Sequence, residues 1–91
     1  MSRVVREYSL TAGDPNPRAW LARVRGEQDD TGLWHGWIEL LPIDGGPAKQ
    51  TGRETTQSSL DALAYWVTGL ETVYLEGALD RSIPLRLDSA A

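Results

Sequence analysis

Hydrophobic spacing predicts one amphipathic helix in the second half of the chain. Apolar side chains recur there at the three- and four-residue intervals of a helical face, at Leu60, Leu63, Ala64, Val67 and Leu70. Ser58 or Ser59 can cap the first turn, and Ser58 with Asp61 has the spacing of a capping box. Gly69 stands where a glycine in the left-handed conformation would end the helix. We therefore predict a helix that begins after Ser58 or Ser59 and ends near Gly69.

Alternation of apolar and polar positions predicts three strands in the first half of the chain, at residues 3–12, 18–26 and 33–43. In the first strand, the alternation assigns Val4 to the apolar face and Val5 to the polar face. In the second strand, Trp20 falls on the apolar face. Turn-forming residues at 13–17 and a polar loop at 27–32 separate the strands, so we expect consecutive hairpins.

The third predicted strand, Leu33–Ile43, carries large apolar groups on both faces. One face has Trp34, Gly36, Ile38 and Leu40, and the other has Leu33, His35, Trp37, Glu39 and Leu41. This pattern is typical of a central strand covered on both sides, or of a strand with one side reserved for a partner. Pro42 has no N–H, so we expect the pairing to weaken there.

The remaining segments are less regular. A flexible loop at 44–52 leads into a predicted fourth strand at 52–57. Residues 71–76 are compatible with a strand by β-propensity and with a helix by the spacing of the apolar residues that follow, and we favour the helix. Pro84 restricts the tail, 82–91, to an edge strand, and residues 89–91 are expected to fray.

The order of these elements predicts the α+β class. We expect an antiparallel three- to four-stranded meander with one or two C-terminal helices packed on one face. No long linker divides the sequence, so we predict a single domain over 1–91 with an ordered core of about 3–87. A chain of this size buries only about 60–65% of its unfolded surface, and dimerisation would be a natural way to enlarge so small a core.

Composition narrows the classes of function. The chain has no cysteine, which excludes disulfides, thiolate metal sites and cysteine nucleophiles. No apolar run approaches the roughly 20 residues that cross a bilayer, and MSRVVREYSL lacks the pattern of a signal peptide. We therefore expect a cytoplasmic protein without a membrane partner.

The net charge of −4 argues against a general polyanion binder, but the charge is unevenly distributed. Residues 1–26 carry +3 and residues 27–91 carry −7. Such asymmetry can mark a surface for a partner. The interpretation that we favour is that basic strands lie beside acidic elements of the same fold.

No catalytic or metal-binding constellation is evident. His35 is the only histidine, and Glu39 lies four residues along the same strand, roughly 13 Å away and out of direct reach. Asp29, Asp30 and Asp44 lack the spacing of a calcium-binding loop. We predict no catalytic residue, metal or cofactor, and we expect a protein that is not an enzyme.

Four tryptophans are the most informative residues. Our first hypothesis is a contact face for another protein or a second copy, formed by Trp37, Leu33, Leu41 and Trp20. The alternative is a single-stranded nucleic-acid-binding module that uses Arg6, Tyr8, Arg23 and Arg25. For the tryptophans themselves we favour a third interpretation, in which two or three of them form the core beneath the helix, joined by Trp66.

The run GRETTQSSLDALAYWVTGLETVYLEGAL, preceded by WLARVRGE and GLWHGWIEL, resembles short bacterial proteins of uncharacterised function over residues 18–80. That resemblance implies no activity and no site residues. In outline, a strand meander that enters a helix at a Thr/Ser cap is also similar to antitoxins of the HicB type. The strand that those antitoxins carry between their helices is not evident here, and no DNA-binding extension is recognisable, so their function is not carried over.

Overall fold

An antiparallel sheet forms one layer of the protein in the computed structural model, which describes residues 1–13 and 16–85. Its long strands are β1 (Arg3–Ala12), β2 (Arg18–Gln28) and β3 (Trp34–Pro42), and each pairs antiparallel with the next. The predicted meander is confirmed. β2 ends two residues later than predicted, and β3 is one residue shorter than predicted at each of its ends. The predicted end of the ordered core at 87 and the expected fraying of residues 89–91 lie outside the described residues.

Three short strands complete the sheet beyond β3. They are β4 (Lys49–Gln50) and β5 (Thr55–Gln57), which both pair with β3, and β6 (Ile83–Pro84), which pairs with β4. The prediction of an edge strand in the tail is confirmed at β6.

The predicted fourth strand at 52–57 forms only over its last three residues, because the chain leaves β3 after Thr51 and pairs with it again as a strand at β5. Thr51 donates its backbone N–H to the Ile38 carbonyl at 2.9 Å. Its hydroxyl oxygen accepts the backbone N–H of Ile38 at 3.1 Å. In a regular strand pair, the backbone carbonyl of Thr51 would accept that N–H instead. The chain leaves the sheet after this residue and returns to β3 at β5.

Two helices, α1 (Leu60–Thr68) and α2 (Thr72–Arg81), pack against one face of the sheet. The predicted α+β architecture is therefore what the structure shows. Residues 72–76 are helical because Leu75, Ala78 and Leu79 form one buried helical face, which outweighs local β-propensity. In the described part of the chain, neither helix is long and apolar enough to cross a membrane.

The ends of α1 show how the sequence signals operate. Ser59 is the N-cap, and its hydroxyl accepts the backbone N–H of Ala62 at 3.0 Å, so Ser58 and Asp61 do not form the predicted capping box. The expectation of a left-handed Gly69 is also wrong, since its φ is −91°. The chain turns within three residues into α2, and the N–H of Gly69 is satisfied by the Trp66 carbonyl at 3.1 Å.

Substitution of Ser59 by alanine is expected to lower the free energy of unfolding by about 1 kcal/mol, because the first turn of α1 loses its side-chain acceptor. Urea unfolding monitored by circular dichroism measures this change. Ser58→Ala is the matched control, and we expect it to stay within about 0.5 kcal/mol of the native protein. Equal losses in the two variants would contradict the assignment of the cap.

The core lies between the helices and the covered face of the sheet, here called the inner face. It is formed mainly by Leu10, Trp20, Ala22, Val24, Ile38, Leu40, Val67, Leu75, Ala78 and Leu79. A break in register between Val4 and Arg6 turns Val5 toward this core and leaves Val4 41% exposed. The predicted positions of Val4 and Val5 are therefore wrong, because a β-bulge adds one residue and reverses the alternation.

Leu63 of α1 is fully buried over a pair of glycines. Gly26 and Gly36 face each other across β2 and β3. A Cβ atom on Gly26 would lie 2.5 Å from one Leu63 methyl group, and a Cβ on Gly36 would lie 2.9 Å from the other. The two missing side chains allow α1 to approach the sheet closely at this point.

A polar cluster joins α2 to the loop before β5. Glu54 accepts a hydrogen bond from the Tyr74 hydroxyl at 2.5 Å and another from the Nε–H of Arg81 at 3.1 Å. A further ion pair joins Glu54 to the Arg81 guanidinium. The Arg81 guanidinium lies over the Tyr74 ring. The hydrogen bond from Arg81 is the main cause that lowers the pKa of Glu54. This carboxylate therefore ties the second helix to the sheet.

Candidate functional site

The face of the sheet opposite the helices, here called the outer face, is not covered by any other element among residues 1–13 and 16–85. Three cross-strand pairs occupy its centre: Leu21 with Leu41, Arg23 with Glu39, and Arg25 with Trp37. All six side chains are half-buried. On the outer face, the Arg23–Glu39 pair therefore lies between the two leucines and Trp37.

The charges at the centre of the outer face are balanced. Arg23 donates to Glu7 of β1, with 2.7 Å between Nε and Oε2. Arg25 lies 3.7 Å from Glu39. Two arginines and two glutamates leave this region neutral in a chain whose net charge is −4. The outer face therefore does not repel a similar face.

The structure brings together some, not all, of the predicted interface residues. Trp37 and Leu41 lie on the outer face, and Leu33 is 40% exposed immediately before β3. The assignment of Trp20 to this contact face is wrong. Trp20 is only 6% exposed and lies on the inner face, because it shares the alternation of the core residues Ala22 and Val24.

The residues of the nucleic-acid hypothesis lie on two different surfaces. Arg6 and Tyr8 are on the inner side of β1, where the Arg6 guanidinium lies 5.5 Å from the centre of the Tyr8 ring. The Tyr8 hydroxyl donates to the Val67 carbonyl of α1 at 2.7 Å, and burial raises the pKa of Tyr8. Arg23 and Arg25 are on the outer face and have carboxylate partners. The four side chains therefore do not form one binding face.

Basic residues from the first third of the chain form local ion pairs with acidic residues from the rest of the chain. Arg18, from the basic first third, donates to Asp44 at 2.8 Å, and this hydrogen bond lowers the pKa of Asp44. Arg25 lies beside Glu39 in the same way. The interpretation that basic strands lie beside acidic elements of the same fold is confirmed at these two positions.

A polar cluster that was missed in the sequence surrounds His35. Its Nε2 lies 2.6 Å from Asp29 Oδ2, and its Nδ1 lies 3.2 Å from both the Thr56 hydroxyl and Arg53 Nη1. Asp29 also accepts two hydrogen bonds from Thr31. Together with the His35 contact, these bonds hold the pKa of Asp29 well below its usual range. Asp29 is therefore ionised, and the Nε2–H of His35 donates to it.

This cluster follows from the register in which β2 pairs with β3, and residue spacing along β3 alone does not reveal it. Glu39 is the carboxylate closest to His35 along its own strand, whereas the β2–β3 pairing places the start of the hairpin loop beside His35. The resulting contacts join the loop at Asp29 to β5 at Thr56. Because Arg53 also contacts Nδ1, we interpret the cluster as a structural link between these segments.

No metal site accompanies this cluster in the described ranges, 1–13 and 16–85. Within them, no group of three or more His, Asp or Glu side chains is arranged to hold a metal ion. The outer face consequently remains the feature with the clearest capacity for recognition, through apolar contact and balanced ion pairs.

Comparison of the chain with protein-family models, with curated protein sequences and with solved structures finds no match. The fold class is therefore established by the structure itself. The resemblance to short bacterial proteins stays an expectation, and function has to be argued from the outer face.

Proposed function

We propose that the protein is a non-catalytic homodimerising module in which the outer faces of two copies pack against each other. The observation that carries this proposal is that Trp37, Leu21 and Leu41 all lie on the sheet face that the helices leave uncovered, with the Arg23–Glu39 pair between the tryptophan and the two leucines. Two sheets packed face to face interdigitate such side chains at about 10 Å separation. Tryptophan and arginine are also the side chains that most often anchor interfaces.

Charge favours a second copy over a different partner. The pairs Arg23–Glu7 and Arg25–Glu39 make the centre of the outer face neutral, while the whole chain carries −4. Two copies can therefore approach through this face with less repulsion than through an acidic surface. In a two-fold arrangement, both signs on one face also allow each arginine to meet a glutamate of the partner.

The size of the chain supports the same proposal. A domain of 91 residues has a small core, and a second copy would cover apolar surface that its own helices do not reach. The cysteine-free sequence supports a cytoplasmic location for this module.

The test is the molar mass in solution, measured by size-exclusion chromatography with light scattering over a concentration series. We expect a mass of about 20 kDa, twice the 10.0 kDa of one chain. Trp37→Glu is expected to give a monomer at the same concentrations, because it replaces the largest apolar side chain of the outer face with a carboxylate. Circular dichroism confirms that the variant is folded.

Tyr65→Glu is the matched control, since Tyr65 is an aromatic residue of α1 with 80% of its surface exposed on the helical layer. This variant should remain dimeric. A native protein that is monomeric at every concentration would refute the proposal. Dissociation by Tyr65→Glu, with an intact dimer for Trp37→Glu, would move the interface to the helices and refute it equally.

A further inference from the structure

A cleft opens at the end of the inner face, between the beginning of β2, β4 and the second half of α2. Its volume is about 380 Å³, and its walls include Arg18, Trp20, Lys49, Leu79 and Asp80. Cavities that bind small molecules start at about 300 Å³, so this cleft suits a ligand of amino-acid size. It lies on the helical side of the sheet and is independent of the outer face.

The cleft has one cationic and one acidic end. Lys49, the only lysine of the chain, and Arg18 supply the positive charges. Arg18 is fixed in place, because it donates to Asp44 and its guanidinium lies 5.1 Å from the centre of the Trp20 ring. Asp80 belongs to the opposite wall.

An adjoining hollow of about 270 Å³ extends the acidic end. It shares Asp80 with the cleft and adds Glu76, one helical turn earlier on α2. The two carboxylates are therefore placed side by side on one face of the helix.

The indole N–H of Trp20 gives an independent indication of a missing ligand atom. Trp20 is only 6% exposed, and its Nε1 has no hydrogen-bond partner among the described residues. Buried polar groups in folded proteins almost always have a partner, and an unsatisfied one is destabilising. The donor is closed to solvent in this structure but belongs to a side chain that lines the cleft, so a bound acceptor oxygen reaches it only when the wall of the cleft rearranges.

We propose that this cleft binds a small dipolar ligand of the amino-acid class. Its carboxylate would meet Lys49, Arg18 and the indole N–H of Trp20, and its cationic group would meet Asp80 and Glu76. An anion alone would leave Asp80 and Glu76 side by side without a cation, and a cation alone would leave Lys49 without an anion among the described residues.

The probe is L-arginine. Sodium acetate, which supplies only the carboxylate, and guanidinium chloride, which supplies only the cationic group, are titrated separately at equal ionic strength. The readout is the set of four tryptophan indole N–H signals in ¹⁵N–¹H correlation spectra, with the Trp20 signal assigned by Trp20→Phe. We expect L-arginine to shift the Trp20 signal saturably and the other three signals much less. Acetate and guanidinium should bind at least tenfold more weakly.

Lys49→Gln and Asp80→Asn are each expected to weaken L-arginine binding at least tenfold. Arg53→Gln removes one positive charge beside His35, away from the cleft, and should leave the binding unchanged. If Trp20→Phe does not fold, Trp34→Phe, Trp37→Phe and Trp66→Phe assign the other three signals and leave the fourth to Trp20, and the two charge variants still decide the outcome.

An unchanged Trp20 signal up to saturating L-arginine would overturn the proposal. Equal binding of acetate and L-arginine would overturn the dipolar class and leave a simple anion site. An equal loss of binding in Arg53→Gln would show a nonspecific charge effect and would also overturn it.

Discussion

Replacement of Leu63 by alanine is expected to lower the free energy of unfolding by about 2–5 kcal/mol, the range for a leucine removed from a packed core. Leu63 is fully buried, and its two methyl groups rest over Gly26 and Gly36. Neither glycine has a side chain that could move into the space, so the cavity can close only if α1 itself shifts. Urea unfolding at constant protein concentration measures the loss.

A double-mutant cycle with Gly26→Ala tests this packing specifically. The added Cβ would lie 2.5 Å from a Leu63 methyl group, so Gly26→Ala alone should cost about 1–3 kcal/mol through overpacking. In the background of Leu63→Ala that methyl group is gone, and the same substitution should cost much less. Strictly additive losses would show that the two residues are not coupled and would contradict the close approach of α1.

Replacement of Glu54 by alanine is expected to cost about 1.5–3 kcal/mol, the range for hydrogen bonds to a charged group. Glu54 is well shielded, with 9% of its side chain exposed, and it accepts from both Tyr74 and Arg81. Its removal leaves the Tyr74 hydroxyl without its acceptor and separates α2 from the loop before β5. Thermal or urea unfolding at pH 7 measures this loss.

Acid should abolish the same stabilisation in the native protein. Arg81 lowers the pKa of Glu54, so the folded state binds its proton less readily than the unfolded chain does. The stabilisation is complete above the ordinary glutamate pKa of about 4.3 and is lost as the pH falls through the lower folded value. Glu54→Gln should therefore show a smaller loss of stability with acid than the native protein.

Asp44→Asn is the matched control for the acid experiment. Its partner Arg18 also lowers the pKa of Asp44, but 69% of the Asp44 side chain is exposed, and exposed pairs contribute little. This variant should keep nearly the whole acid dependence of the native protein. An unchanged acid dependence in Glu54→Gln would show that the carboxylate does not hold α2 in place.

The sequence was sufficient to predict the elements in which apolar residues recur at a regular interval. Alternation placed β1, β2 and β3, and the three- and four-residue spacing placed α1 and favoured a helix over a strand at α2, because burial of one face imposes those periods. It was insufficient at Val5 and Thr51. A bulge adds one residue without changing composition, and the hydroxyl of Thr51 replaces a backbone acceptor only when β3 is already beside it.

Prediction of the candidate site had the same limit. Alternation correctly put Trp37 and Leu41 on one face of β3, but it could not show which face of β2 the helices cover, and Trp20 was therefore assigned wrongly. The contact of His35 with Asp29 depends on hairpin register. The cleft at Lys49 depends on the packing of α2 against strands that are distant in sequence.

The bulge in β1 also bears on how the protein behaves at high concentration. β1 is the terminal strand in the sheet order, and its long row of backbone groups resembles the templates from which fibres grow. A regular strand that paired with this edge would fall out of hydrogen-bonding register at Val5, where the register of β1 breaks. Near that point it would also meet the charged side chains of Arg3, Arg6 and Glu7. Repeated strand-by-strand stacking is thereby interrupted at its first layer, while face-to-face pairing of two sheets remains open.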